Sequence, residues 1–144
     1  MFRPASTPAE LPRPSGSTTH YLATHASTRG EFGLYRVDMA PRAVGPRTHF
    51  HRTISESFFV LSGRVRLFNG ESWLTGTEGD FLYVPVGGLH AFTNDSDDPA
   101  SMLLLFAPGA PREEYFEKVA EMAKRGGAEF GEFLVRHDSY FVEE

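Results

Sequence analysis

The sequence predicts an all-β fold, a jelly-roll barrel of two antiparallel sheets, with a short helical extension at the C-terminal end. Three observations predict it. Short β-branched or aromatic runs recur between residues 20 and 108, broken by turn residues about every eight to twelve positions, the spacing of a sandwich or barrel. Asn69-Gly70 stands between two such runs and is the strongest short hairpin signal. Beyond Pro111 the apolar period changes from that of a strand to that of a helix. A chain of 144 residues fits one domain and buries roughly two-thirds of its unfolded surface, enough for a proper core.

The elements follow in order. Residues 1–17 are rich in Pro, Ser and Thr and read as a loosely ordered arm. Residues 18–108 read as the barrel. Strand character begins at His20–Thr24, and Glu31–Met39 alternates with Tyr35, Val37 and Met39 on one face until Pro41 closes it. Glu56–Leu61 is followed by a turn at Ser62-Gly63, Arg64–Phe68 returns, and Glu71–Thr75 pairs back across the Asn69-Gly70 turn. Gly79-Asp80 turns again, Phe81–Val84 is a strand, and His90–Thr93 runs into the polar turn Asn94–Pro99. Ser101–Phe106 is apolar throughout and reads as a last strand buried on both faces.

Residues 109–144 form the extension. Pro111 suits a first helical position, and Glu113 and Glu114 sit in a first turn, where negative charge is favoured. Tyr115, Val119 and Met122 recur at helical spacing, and Lys124-Arg125 before Gly126-Gly127 closes the helix. A second helix is expected over about 128–136, with Phe130, Phe133 and Leu134 on one face. Two amphipathic helices either patch the outside of the barrel or cap its open mouth and shape access to it.

The chemistry is concentrated in two segments. His49 and His51 are two positions apart, so on a strand both imidazoles point to one face, and Glu56 follows five residues later. His90 lies in the run Gly79 to Asn94. Three neutral imidazoles and a carboxylate are a complete ligand set for one divalent metal, and the absence of Cys removes thiolates and disulfides. A structural zinc site is closed by four ligands and usually contains Cys, so this donor set favours an open site that does chemistry. The set resembles a two-histidine, one-carboxylate facial triad with an extra imidazole. Glu56 is the candidate catalytic base as well as a ligand. Nothing in the sequence gives the other histidines, His20, His25 and His137, a role beyond surface or capping positions.

These segments resemble the two motifs of the cupin superfamily. The first, G-x5-H-x-H-x(3,4)-E-x6-G, is met by His49, His51, Glu56 and Gly63, except that its leading glycine falls at Ala43 and the chain offers Gly45 instead. The second, G-x5-P-x-G-x2-H-x3-N, is met in full by Gly79, Pro85, Gly87, His90 and Asn94. The resemblance implies a single-barrel double-stranded β-helix, one divalent transition metal (Fe, Mn, Ni, Co or Zn) on His49, His51, Glu56 and His90, and a homodimer. The exit Leu105–Gly109 and the helix bearing Tyr115-Phe116 look similar to quercetin 2,3-dioxygenase-like single-barrel proteins, which implies a dioxygenase acting on a flavonol or another enolisable aromatic.

Alternation also sorts a substrate pocket. If Glu56 points inward, so do Phe58 and Val60, and Phe92 shares the face of His90; Tyr35 and Met102 complete the expected pocket. Two other readings stand beside the dioxygenase: a non-redox isomerase, cyclase or lyase on a keto-enol or polyketide-like substrate, and a small-molecule-binding cupin. A net charge of −5 without a basic stripe argues against nucleic acid. No apolar run reaches the ~20 residues of a membrane span and no signal peptide is apparent, so a cytoplasmic protein is expected. Apolar side chains along Arg64–Phe68 and at Trp73 are expected on the outer face of a sheet, which a second subunit would cover.

Overall fold

Alternation of apolar residues is what pairs these strands face to face. The structure, a computed structural model, describes residues 1–143; Glu144, the end of the extension, lies outside the described residues. Among the described residues, ten strands and two helices run β1 (Ser17–Ala23), β2 (Gly33–Met39), β3 (His49–Phe50), β4 (Ser55–Ser62), β5 (Val65–Phe68), β6 (Trp73–Gly76), β7 (Phe81–Val84), β8 (Ala91–Thr93), β9 (Ala100–Ala107), α1 (Glu113–Arg125), α2 (Gly127–Arg136) and β10 (Tyr140–Phe141). One sheet has the order β1-β2-β9-β4-β7 and the other β6-β5-β8, with β10-β3 beside it through a bridge between His49 and His90.

Register stacks the core in rows. Tyr35, Leu104 and Phe58 are consecutive cross-strand partners, as are Val37, Met102 and Val60. All six are buried, and Val65, Leu67 and Phe92 of the second sheet belong to the same cluster. Burial of each large apolar side chain contributes about 1.5–3 kcal/mol.

Two expectations about faces are corrected. Val65 and Leu67 turn inward, so the outer apolar surface there is limited to Phe68, Trp73 and Leu74. The strand β9 is not covered on both sides: Leu105 is exposed and lies with Phe59, Phe81 and Tyr83 on the outward face of the larger sheet. A continuous apolar run carries no period to say which side is covered.

The turn at Gly63 is steric in origin. Its φ is +72°, and a Cβ there would collide with the Pro99 carbonyl oxygen and stand 2.8 Å from Ala100 Cα. Gly63→Val is expected to cost at least ~2 kcal/mol in urea unfolding, through backbone strain and overpacking. A variant as stable as the parent would contradict this. Gly45 explains the displaced glycine before β3: a Cβ on it would run into the backbone of Phe92.

The helical tail closes over the barrel. Helix α1 begins at Glu113 with Arg112 as its N-cap, so Pro111 lies just before the helix and not at its first position. Tyr35 Oη donates to Glu113 (2.7 Å) and Tyr21 Oη to Glu117 (2.9 Å), tying α1 to β1 and β2. Tyr115 stacks on Phe133 across the two helices. Among the described residues, no helix is long and apolar enough to cross a membrane.

Candidate metal centre

His49 sits on β3, Glu56 on β4 and His90 just before β8, while His51 follows β3. The two sheets bring these residues together. Each offers one donor atom, and the four atoms lie within 4.8 Å of one another. All four residues are buried, with His90 only 1% exposed.

Hydrogen bonds fix the imidazoles. A carbonyl oxygen can only accept, so each bonded ring nitrogen carries the proton. Nδ1–H of His49 donates to Arg47 O (2.8 Å), that of His51 to Asp138 O (2.6 Å) and that of His90 to Gly88 O (2.9 Å). All three Nε2 atoms are thereby left for the site, the arrangement that orients histidine ligands. Glu56 Oε1 lies 3.0 Å from His51 Nε2 and 2.8 Å from His90 Nε2. A carboxylate facing two imidazoles whose other nitrogens are already protonated needs positive charge between them, from protons or from a metal ion.

The electrostatics agree. Burial and the neighbouring His90 push His49 down to about 3, so its Nε2 lone pair is free at neutral pH. Burial works to raise Glu56, but the charge of His90 and the hydrogen bonds from His51 and His90 outweigh it and hold the carboxyl well below its ordinary range. His90 is raised because Glu56 outweighs burial. The donor set therefore fits a divalent transition metal: three oriented nitrogens and one ionised oxygen. A metal must displace the proton that Glu56 stabilises on His90. Affinity is accordingly expected to rise with pH up to and beyond the ordinary imidazole value of 6.5, and to level off once His90 is deprotonated. Calorimetric titration across that range checks this, and a flat profile would contradict it.

His49 and Glu56 border a cavity of about 360 Å³. Its walls are mainly apolar: Val37, Phe92, Leu104 and Phe106 from the barrel, Tyr115, Phe116 and Val119 from α1, Phe130 from α2 and Phe141 from β10. Both helices thus contribute residues to these walls. Phe92 lines this cavity. Tyr35, Phe58, Val60 and Met102 are not among its lining residues; they are 0% exposed and fill the core behind it.

Sequence reasoning misses two residues. Asp138, with φ +50°, supplies the carbonyl that orients His51, and its carboxylate accepts from Arg52 N, Thr53 N and Thr53 Oγ1. Arg112 lies buried in the cavity wall; the available signal is a cation at a helix N-terminus, where the dipole disfavours it. His137, expected at a surface or capping position, is buried and is the C-cap of α2.

Comparison with known proteins places the chain. A sequence profile of the Cupin domain family matches residues 35–106. Germin-like protein subfamily 2 member 3 of Arabidopsis thaliana is 36% identical over 85 residues, covering 54% of this chain and 37% of that protein. The match thus spans little more than a third of the plant protein's length. An RmlC-like cupin from Shewanella frigidimarina superposes with a TM-score of 0.60 at 19% identity, over 74% of this chain and 88% of its own. A recombinant oxalate oxidase in complex with glycolate gives 0.57 at 23% identity, over 69% and 54%. At these identities the structural likeness concerns the fold.

Proposed function

The chain belongs to the cupin family, and from that premise we propose that it is a metal-dependent enzyme, a dioxygenase acting on an enolisable aromatic or flavonol-like small molecule. The observation that carries this reading is that Glu56, ionised and held between two imidazoles, also borders an aromatic cavity of about 360 Å³. A divalent metal held by His49, His51, Glu56 and His90 would supply Lewis acidity and, with a redox-active ion, the capacity to use dioxygen.

The remaining work falls to the chain. Phe92, Phe106, Tyr115 and Phe116 hold an aromatic body against the cluster and keep water from it. Glu56 accepts the proton of the enol hydroxyl, leaving the electron-rich enolate. Positive charge beside Glu56, from the His90 proton in the metal-free protein or from a bound ion in its place, keeps the carboxylate ionised until that transfer. The same proton transfer serves a non-redox isomerase, cyclase or lyase on a keto-enol substrate, since it consumes no oxidant. We also take the chain to be a cytoplasmic homodimer. The cysteine-free composition supports the first part, and the outward apolar cluster of Phe59, Phe81, Tyr83 and Leu105 supports the second.

The test is oxygen uptake by protein reconstituted separately with Fe, Mn, Co, Ni and Zn, against a panel of flavonols and other enolisable aromatics. Substrate loss matched by oxygen consumption is expected. Turnover without oxygen uptake would replace the dioxygenase with the non-redox enzyme. Binding without turnover, with every metal, would reduce the protein to a small-molecule binder.

A further inference from the structure

Arg112 is 2% exposed, yet no carboxylate lies within ion-pair distance of it among the described residues. Its guanidinium makes two hydrogen bonds: Nη1 donates to His137 O, and Nη2 to Ser139 Oγ at 3.1 Å. Nε–H is buried and has no acceptor among the described residues. The Arg112 guanidinium lies 4.3 Å from the Tyr115 ring centroid and 5.3 Å from that of Phe106. An arginine keeps its charge in such surroundings, and a buried charge without a counter-ion is costly.

The placement adds to the cost. Arg112 is the N-cap of α1, makes no side-chain cap bond, and sets a cation against the positive end of the helix. Local rules broken in this way concentrate at functional sites. The cavity as a whole repeats the bias. Arg13 and Arg47, both exposed, line it with Arg112, against Glu56 as the single lining carboxylate, in a chain whose net charge is −5. Neither Arg13 nor Arg47 forms an ion pair among the described residues. Positive lining in an apolar cleft of an acidic protein focuses an anion-attracting field.

We propose that this cavity binds an aromatic carboxylate, with Arg112 as the positioning residue that receives the carboxylate and Arg13 and Arg47 drawing the anion in at the rim. This rests on the cavity being the substrate site of the proposed enzyme, and narrows its substrate from a neutral flavonol to an enolisable aromatic acid. The ligand's carboxylate pairs with the guanidinium, its apolar body lies along Phe106 and Tyr115, and its enol hydroxyl faces Glu56. Arg112 tells acid from neutral isostere, because a neutral amide brings no countercharge to the guanidinium.

The experiment measures binding of 3-phenylpropanoate and of its neutral isostere 3-phenylpropanamide by calorimetry, with the full chain both metal-free and zinc-loaded. The acid is expected to bind at least about tenfold tighter than the amide in both states. In Arg112→Gln that ratio is expected to fall to within about threefold of unity, with the amide little changed. A purely structural Arg112 would weaken acid and amide alike. Should Arg112→Gln fail to fold, Arg112→Lys decides: lysine keeps the charge but not the planar fork, so the ratio should drop at least about threefold. Equal binding of acid and amide by the parent, binding of neither, an acid preference that appears only with zinc, or an unchanged ratio in the folded variant would each overturn the proposal. Turnover is not read in this experiment. An acid preference in a protein that turns over nothing would sink the enzyme reading and leave the anion site standing.

Discussion

Glu56→Gln is expected to retain most of its metal, on three imidazoles, and to lose about 10²–10⁴-fold in turnover per bound metal. The amide is nearly isosteric with the carboxylate and fills the same place on β4 between Val84 and Phe106. What it lacks is the capacity to accept an enol proton at neutral pH. The comparison must be normalised to metal content, because the same change also removes an oxygen donor. If Glu56 is only a ligand, metal affinity falls while activity per metal survives. Near-equal activity per metal in parent and variant would remove the base from the account.

The second large effect is on metal affinity. His51→Ala deletes one of three oriented nitrogens and leaves Glu56 with His90 alone, so most of the metal should be lost. Asp138→Ala is the graded form of the same experiment. It leaves every donor in place but releases the loop whose carbonyl orients His51, and a loss of about 10–100-fold in affinity is expected. Full affinity in His51→Ala, measured by competition with a chelator, would show that the ion is held elsewhere. Full affinity in Asp138→Ala would show that His51 is oriented without the tail.

The parts that were legible in the sequence are those set by local spacing. Alternation places Tyr35, Val37 and Met39 on one face, and β7 runs over Phe81–Val84 as its flanking turns dictate. The four metal-site residues were legible from spacing, His49 and His51 two apart, Glu56 five further on and His90 in a turn-bounded run, although the structure puts His51 just after β3 and His90 just before β8. Alternation does not give depth. Phe58 and Val60 share the face of Glu56, but they lie in the core and the cavity is walled by other residues. Nor does it say what covers a face, which is why Leu105 is open to solvent and Val65 is not. Contacts across the whole chain were out of reach. The bond from His51 to Asp138 spans 87 residues, and the pairing of Tyr140–Phe141 with β3 carries no signal in so short a strand. Arg112 could have been suspected from the helix dipole alone, though its cavity could not.

His49, His51, Glu56 and His90 are expected to hold one ion beside the cavity that His49 and Glu56 border. The most direct test is elemental analysis of protein purified without a nickel column, stripped with chelator, and reconstituted in turn with Mn, Fe, Co, Ni and Zn. One tightly held equivalent per chain is expected for at least one of these metals, with the three imidazole Nε2 signals shifted and Nδ1–H retained in nuclear magnetic resonance spectra. Failure of every metal to survive dialysis, or one equivalent bound without any change at the three histidines, would contradict it.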